Sequence, residues 1–186
     1  MLARLALCLC LAATPLLAQQ VSPPQILTLD QDRLYSMSLY GKALEAKSLA
    51  ATQDLANENR KIEADLSAEE ASLTTQRQTA SVAEFAKLAA DFDARVEKIR
   101  AAQEKKAQQL TTDRDAGRKQ FFDAAVPLLA DLMRKLGAYA ILNRSSVVLS
   151  FDSIDVTDRA VAALDAQLGD GSKPRSAPLT PAPANP

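Results

Sequence analysis

Residues 40–73 read YGKALEAKSLAATQDLANENRKIEADLSAEEASL, and residues 85–121 read FAKLAADFDARVEKIRAAQEKKAQQLTTDRDAGRKQF. Between Lys42 and Ala125 there is no proline and a single glycine, Gly117. Ala, Leu, Glu, Lys, Gln and Arg dominate, and these are strong helix formers. The apolar residues step by eleven. Tyr40, Ala51, Ile62 and Leu73 form one series, with Leu44, Leu55 and Leu66 beside it. Leu88, Ile99, Leu110, Phe121 and Leu132 form another, with Phe85, Val96 and Ala107 beside it. Eleven residues over three turns is about 3.67 per turn, so each series makes a nearly straight stripe along a helix. The stripes are thin, and polar Thr52, Asn59 and Gln103 sit where a tight coiled coil prefers aliphatics. Residues 38–136 are therefore expected to form long helical arms, loosely held together and able to bend.

Ser81-Val82-Ala83-Glu84 has the form of a capping box, in which serine and glutamate satisfy each other's orphan backbone donors at a helix start. It follows the helix-poor Thr74, Thr75 and Thr79 and precedes Phe85. This predicts an antiparallel hairpin with its tip at residues 77–82. The alternative is one unbroken helix, since no glycine or proline marks the turn.

Residues 1–18 read as an export signal: Arg4 supplies the positive start, residues 5–13 a short apolar core, and Leu16-Leu17-Ala18 the cleavage site. The apolar run is too short to span a bilayer. Both cysteines, Cys8 and Cys10, lie inside it, and each follows leucine, unlike a lipoprotein site. The mature chain is thus expected to begin at Gln19, in the periplasm, without a disulfide. Loss of Arg4 leaves 21 of the 22 basic residues against 23 acidic ones. A chain so balanced lacks the clustered basic excess of a nucleic-acid binder. Histidine is absent altogether, so the commonest metal ligand and general base is missing. No nucleophile–base constellation, phosphate loop or metal-ligand spacing is found, and neither enzyme nor cofactor is expected.

After a linker in residues 19–24, residues 25–30 read as a strand. Asp30 and Asp32 then close that strand and cap a helix rather than forming a catalytic pair. Pro127 should kink the return helix, and Leu128, Leu129, Leu132, Met133 and Leu136 give its last turns a denser apolar face. Gly137 fits a C-cap. Residues 139–143 and 147–151 read as two strands of a hairpin around Arg144-Ser145-Ser146, and Asp155-Val156-Thr157-Asp158 as the cap of a final helix reaching residue 168. Residues 169–186 hold five of the nine prolines and are expected to be a disordered, dispensable tail.

The expected fold is mainly α with a small β body, from which the helical hairpin projects. Three short strands and one helix bury little apolar surface. A shared oligomeric body is therefore expected, with Ile26, Leu29, Ile141, Val148 and Phe151 in it.

Residues 26–35 (ILTLDQDRLY) and 38–42 (SLYGK) resemble the opening of the OmpH/Skp periplasmic chaperones, and residues 136–142 (LGAYAIL) and 153–161 (SIDVTDRAV) resemble that family's closing blocks. The resemblance covers residues 25–168. It implies a homotrimer with a small β-barrel body and three tentacles enclosing a cavity, which holds unfolded outer-membrane proteins without ATP. Family chaperones are often clearly basic, whereas this chain is slightly acidic, and contact with anionic lipid is left open.

Charge along the arms is uneven. Residues 54–70 carry six acidic and two basic side chains, residues 97–119 seven basic and four acidic. Lys98, Arg100, Lys105, Lys106, Arg114, Arg118 and Lys119 are the candidate client-binding residues, as a basic stripe; an ordinary solvated helix surface would look the same. The alternative function is a passive periplasmic coiled-coil spacer or adaptor.

Overall fold

The computed structural model describes residues 25–172. The expectations for the export signal, the linker and the tail from residue 173 onward lie outside the described residues.

The chain runs as strand β1 (Gln25–Leu29), helix α1 (Gln31–Met37), the long helices α2 (Leu39–Gln76) and α3 (Val82–Lys135), strand β2 (Ala138–Asn143) and helix α4 (Thr157–Leu168). β1 and β2 pair in parallel, with Leu27 opposite Ile141 and Leu29 opposite Asn143. Parallel strands need a long crossover, and here the whole hairpin of α2 and α3 is that crossover. On the other side of β1, the Val156 N–H donates to the Thr28 carbonyl at 2.9 Å. The two ends of the described segment thus meet in one small body.

Several helix ends have a sequence cause. Asp30 caps α1 by accepting from the Arg33 N–H at 2.9 Å. Ser38 ends α1 and starts α2: its hydroxyl accepts from the Gly41 N–H and donates to the Tyr35 carbonyl, both at 3.1 Å. A Cβ on Gly41 would lie 1.8 Å from the Tyr35 carbonyl oxygen, so only glycine fits this corner. The capping box at the tip is complete: the Ser81 hydroxyl accepts from the Glu84 N–H, and the Glu84 carboxylate accepts from the Ser81 N–H at 3.0 Å. Those hydrogen bonds hold the Glu84 carboxyl below its usual range. α3 continues through Pro127 and stops where Gly137 takes φ 63°, the left-handed conformation that ends many helices.

The core lies at the root of the hairpin. Leu27 and Leu29 of β1, Leu34, Tyr40, Phe121, Ala124, Ala125, and Val156, Ala160 and Leu164 are buried together. Phe121 is its centre, with Tyr35 edge-on at 5.0 Å, Tyr40 at 5.6 Å and Phe122 edge-on at 5.1 Å. Leu128, Leu129, Leu132 and Leu136 pack against it.

Two expectations need correction. Residues 147–151 form no strand; short 3-10 turns at Arg144–Ser146 and Asp152–Ile154 flank them. Asn143 turns the chain by accepting from the Ser145 N–H at 3.1 Å, and Arg144 binds Asp152 and Asp155. These ties lead the backbone back toward β1 without a hairpin. The sheet therefore has two parallel strands, and the described chain contains no barrel. Gly171, at φ 82°, lies against the Tyr40 ring, so close that a Cβ would sit 2.2 Å from it.

Candidate functional site

The arms of the hairpin meet along the eleven-residue stripes. Leu44, Ala51, Leu55, Ile62, Leu66 and Leu73 of α2 are half-buried, as are Phe85, Phe92, Val96, Ile99 and Leu110 of α3, while Leu88 and Ala107 remain exposed. Thr52 and Asn59 are exposed, so of the three polar residues noted only Gln103 lies in the seam. Its Nε2 donates to Glu58 at 3.2 Å, and its Oε1 is buried without a partner. Outside the root, no residue of either arm is fully buried.

Two ion pairs cross between the arms, Glu58 with Lys106 and Glu69 with Arg95. Eleven residues outward on α2 are matched by eleven inward on α3, so the charges keep the same step as the apolar stripes. Hydrogen bonds from Lys106 and Gln103 hold the Glu58 carboxyl below its usual range.

The seven basic residues do not share one face. At about 100° per residue, Lys98, Lys105 and Lys119 lie on the side of α3 turned away from α2. Arg100, Arg114 and Arg118 flank the seam on one edge, and Lys106 flanks it on the other. Arg118 pairs with Asp32 of α1 and stacks on the rings of Tyr35 (4.8 Å) and Phe122 (5.5 Å). Arg100 pairs with Glu97, Arg114 with Asp115 and Lys119 with Asp123, each on its own helix. Lys98 and Lys105 form no ion pair among the described residues.

The five body residues also separate. Leu29 is buried and Ile141 packs against the core, whereas Ile26 is half exposed. Val148 and Phe151 stand 103% and 84% exposed, with Leu149 and Tyr139 likewise in solvent. The body thus carries large apolar side chains that the other described residues leave uncovered.

A network of charges joins the two ends of the chain. The Asp30 N–H donates to the Thr157 hydroxyl at 2.9 Å, and that hydroxyl donates to Asp155 at 2.5 Å. Asp155 also receives the Thr157 N–H at 2.8 Å and binds Arg144. Burial pushes the Asp155 carboxyl up, but the hydrogen bonds from Thr157 and Arg144 outweigh it and hold the group below the usual range. A polar cleft of about 430 Å³ opens beside this network, but its arginines, Arg33 and Arg144, are already bound to Asp158, Asp152 and Asp155.

A second cleft, of about 530 Å³, lies where α1 meets the two arms, lined by Tyr35, Glu45, Leu49, Thr52, Arg114 and Arg118. No single stretch of sequence announces it, because three helices build it. Leu49 is the one local signal: it lies off the eleven-residue stripes and is 59% exposed.

No helix among the described residues is long and apolar enough to cross a membrane. A long helical hairpin on a two-stranded body, with large apolar residues exposed among the described ones, defines an arm-bearing protein. Its fold matches that of an OmpH-like protein of Caulobacter crescentus CB15, crystallised as a candidate outer membrane chaperone, with a TM-score of 0.72 at 22% identity over 82% of this chain and 90% of that one. No curated protein matches the chain. The family model described as outer membrane protein (OmpH-like) matches residues 25–164. The chain belongs to the OmpH-like family, that of the Skp chaperones.

Proposed function

We propose that the protein is an ATP-independent periplasmic holdase, which binds unfolded outer-membrane proteins between helical tentacles and prevents their aggregation. The observation that carries this reading is the hairpin itself. α3 has 54 residues, which at 1.5 Å per residue is about 80 Å, and its arms hold together through a half-buried seam. Such arms offer many weak contacts around a confined space, where effective concentration replaces local affinity. Capture therefore needs no nucleotide, and release follows from the client's own folding. Membership of the OmpH-like family supports outer-membrane proteins as the clients.

The working form is a homotrimer. Exposed Tyr139, Val148, Leu149 and Phe151 support it, because so many large apolar side chains in water on one small body call for cover. Among the described residues β2 pairs with β1 alone, so its other edge is suited to pair with a strand of a neighbouring chain in a shared sheet or barrel. Val148 is fully exposed among the described residues, so Val148→Asp spares the protomer while placing an unpaired charge in the shared interface. Light scattering after size exclusion should report about three chains for the wild type and one for this variant.

Aggregation of a urea-unfolded β-barrel protein on dilution tests the holdase reading. The trimer should keep the client soluble, and adding ATP should change nothing. If Lys98, Lys105 and Lys119 contact clients, reversing them to Glu should slow capture, and the wild type should weaken as salt screens the charges. Failure to protect any β-barrel client would leave the passive spacer as the function.

A further inference from the structure

The cleft at the root of the hairpin has a composition that no part of the seam repeats. Leu49 gives it an apolar wall, Arg114 lies along its side with 63% of its side chain exposed, and Arg118 is already stacked on Tyr35. Glu45 forms no hydrogen bond or ion pair among the described residues. Burial first, and the Glu45 charge second, push the Tyr35 phenol up, so it stays neutral and able to donate. The cleft therefore combines an aliphatic surface, guanidinium faces, the Asp115 carboxylate already paired with Arg114, and the Glu45 carboxylate with unused acceptor capacity. At about 530 Å³ it is within the size range of small-molecule sites.

From this geometry we infer that the cleft receives a polar-tipped aromatic side chain, tryptophan or tyrosine, from an unfolded β-barrel client. The inference rests on the holdase reading and names the part of the client recognised. The ring lies against Leu49 and the Arg114 guanidinium, a cation–π contact, while its N–H or O–H donates to Glu45. The match in chemistry is with the client class: transmembrane β-barrels carry girdles of aromatic residues at the ends of their strands, and tryptophan and tyrosine there have one apolar and one polar end. Phenylalanine fills the same space but leaves the Glu45 carboxylate without a donor, a small side chain does not reach the apolar wall, and lysine or arginine would set its charge against Arg114 and Arg118.

The protein contains no tryptophan, so the fluorescence of a probe is free of background. The probe is a synthetic ten-residue peptide of alternating apolar and polar residues with one tryptophan near its end, titrated with the full-length assembled protein. Its emission should shift to the blue and become protected from a soluble quencher. Leu49→Asp should weaken binding about tenfold, equivalent to about 1.4 kcal/mol. Glu45→Gln should weaken the tryptophan and tyrosine peptides while leaving a phenylalanine peptide, measured as a competitor, unchanged. Both positions are on the surface, and an unaltered melting temperature confirms that each variant is folded. Equal competition by peptides with tryptophan, phenylalanine or leucine, or full binding by Leu49→Asp, would overturn the assignment. If the wild type still suppresses client aggregation in that case, only the cleft is refuted; if suppression is also absent, the holdase reading falls with it.

Discussion

The root of the hairpin and its arms are built from the same two helices, yet they are held in different ways. At the root, α2 and α3 enclose Phe121 among Tyr35, Tyr40 and Phe122, with α1, α4 and β1 closing the core. Along the arms the same helices share a half-buried stripe, interrupted by Gln103 and its neighbours Glu58 and Lys106. Buried apolar area sets stability, so the root should unfold as one cooperative unit and the arms should open locally at much lower cost. Under the proposed holdase function, arms that close around clients of different size need this division.

The largest effect should come from the centre of the root. Phe121→Ala should cost about 3–5 kcal/mol and lower the melting temperature of the whole chain. Ile62→Ala, in the seam, should cost under about 1.5 kcal/mol and speed hydrogen exchange in the outer arms without moving the main transition. Equal shifts in melting temperature for the two would remove the distinction.

Gly41→Ala should follow, at about 3 kcal/mol. The added Cβ collides with the Tyr35 backbone, so the α1–α2 corner must open and the arm must leave the body at another angle. Loss of thermal stability together with a changed scattering envelope would register both consequences.

Asp155 sharpens the comparison through pH. Its folded pKa is depressed, so its stabilisation is present above the unfolded value of about 3.9 and is lost as pH falls through the folded value. Body stability should therefore drop on acidification below about pH 4, and Asp155→Asn should be less stable at neutral pH and flatter across that window. Denaturant titrations at several pH values measure the slope.

Gln103→Leu should have the smallest effect, a gain of about 0.5–1 kcal/mol within the arms, because it removes a buried oxygen without a partner. Slower exchange around residues 55–62 and 99–110, with an unchanged body, is the expected result.

The arms were legible in the sequence because their signals are local. The eleven-residue steps through Leu55, Ile62, Ile99 and Leu110 place those residues in the seam, and Ser81 and Glu84 mark the turn by themselves. Asp30 likewise declares its cap. The body was less legible because its contacts join residues more than a hundred positions apart: Leu27 with Ile141, Asp30 with Thr157. The β-prone run at 147–151 suggested a hairpin, but side-chain ties from Asn143 and Arg144 decide the path of the backbone there. The seven basic residues looked like one stripe in the linear sequence, whereas helical geometry distributes them around α3. Gly41 carried no visible signal, since its need arises from the approach of the Tyr35 carbonyl.

Hydrogen exchange of the full-length protein, measured with and without an unfolded β-barrel client, tests the division of labour most directly. The account predicts that in the empty protein the arms from about residue 50 to residue 110 exchange quickly while β1, α4 and the turns around Phe121 stay protected. On adding client, protection should rise along the arms and at the root cleft, with the body unchanged. Arms as protected as the body when empty, or a client footprint confined to the body, would contradict it.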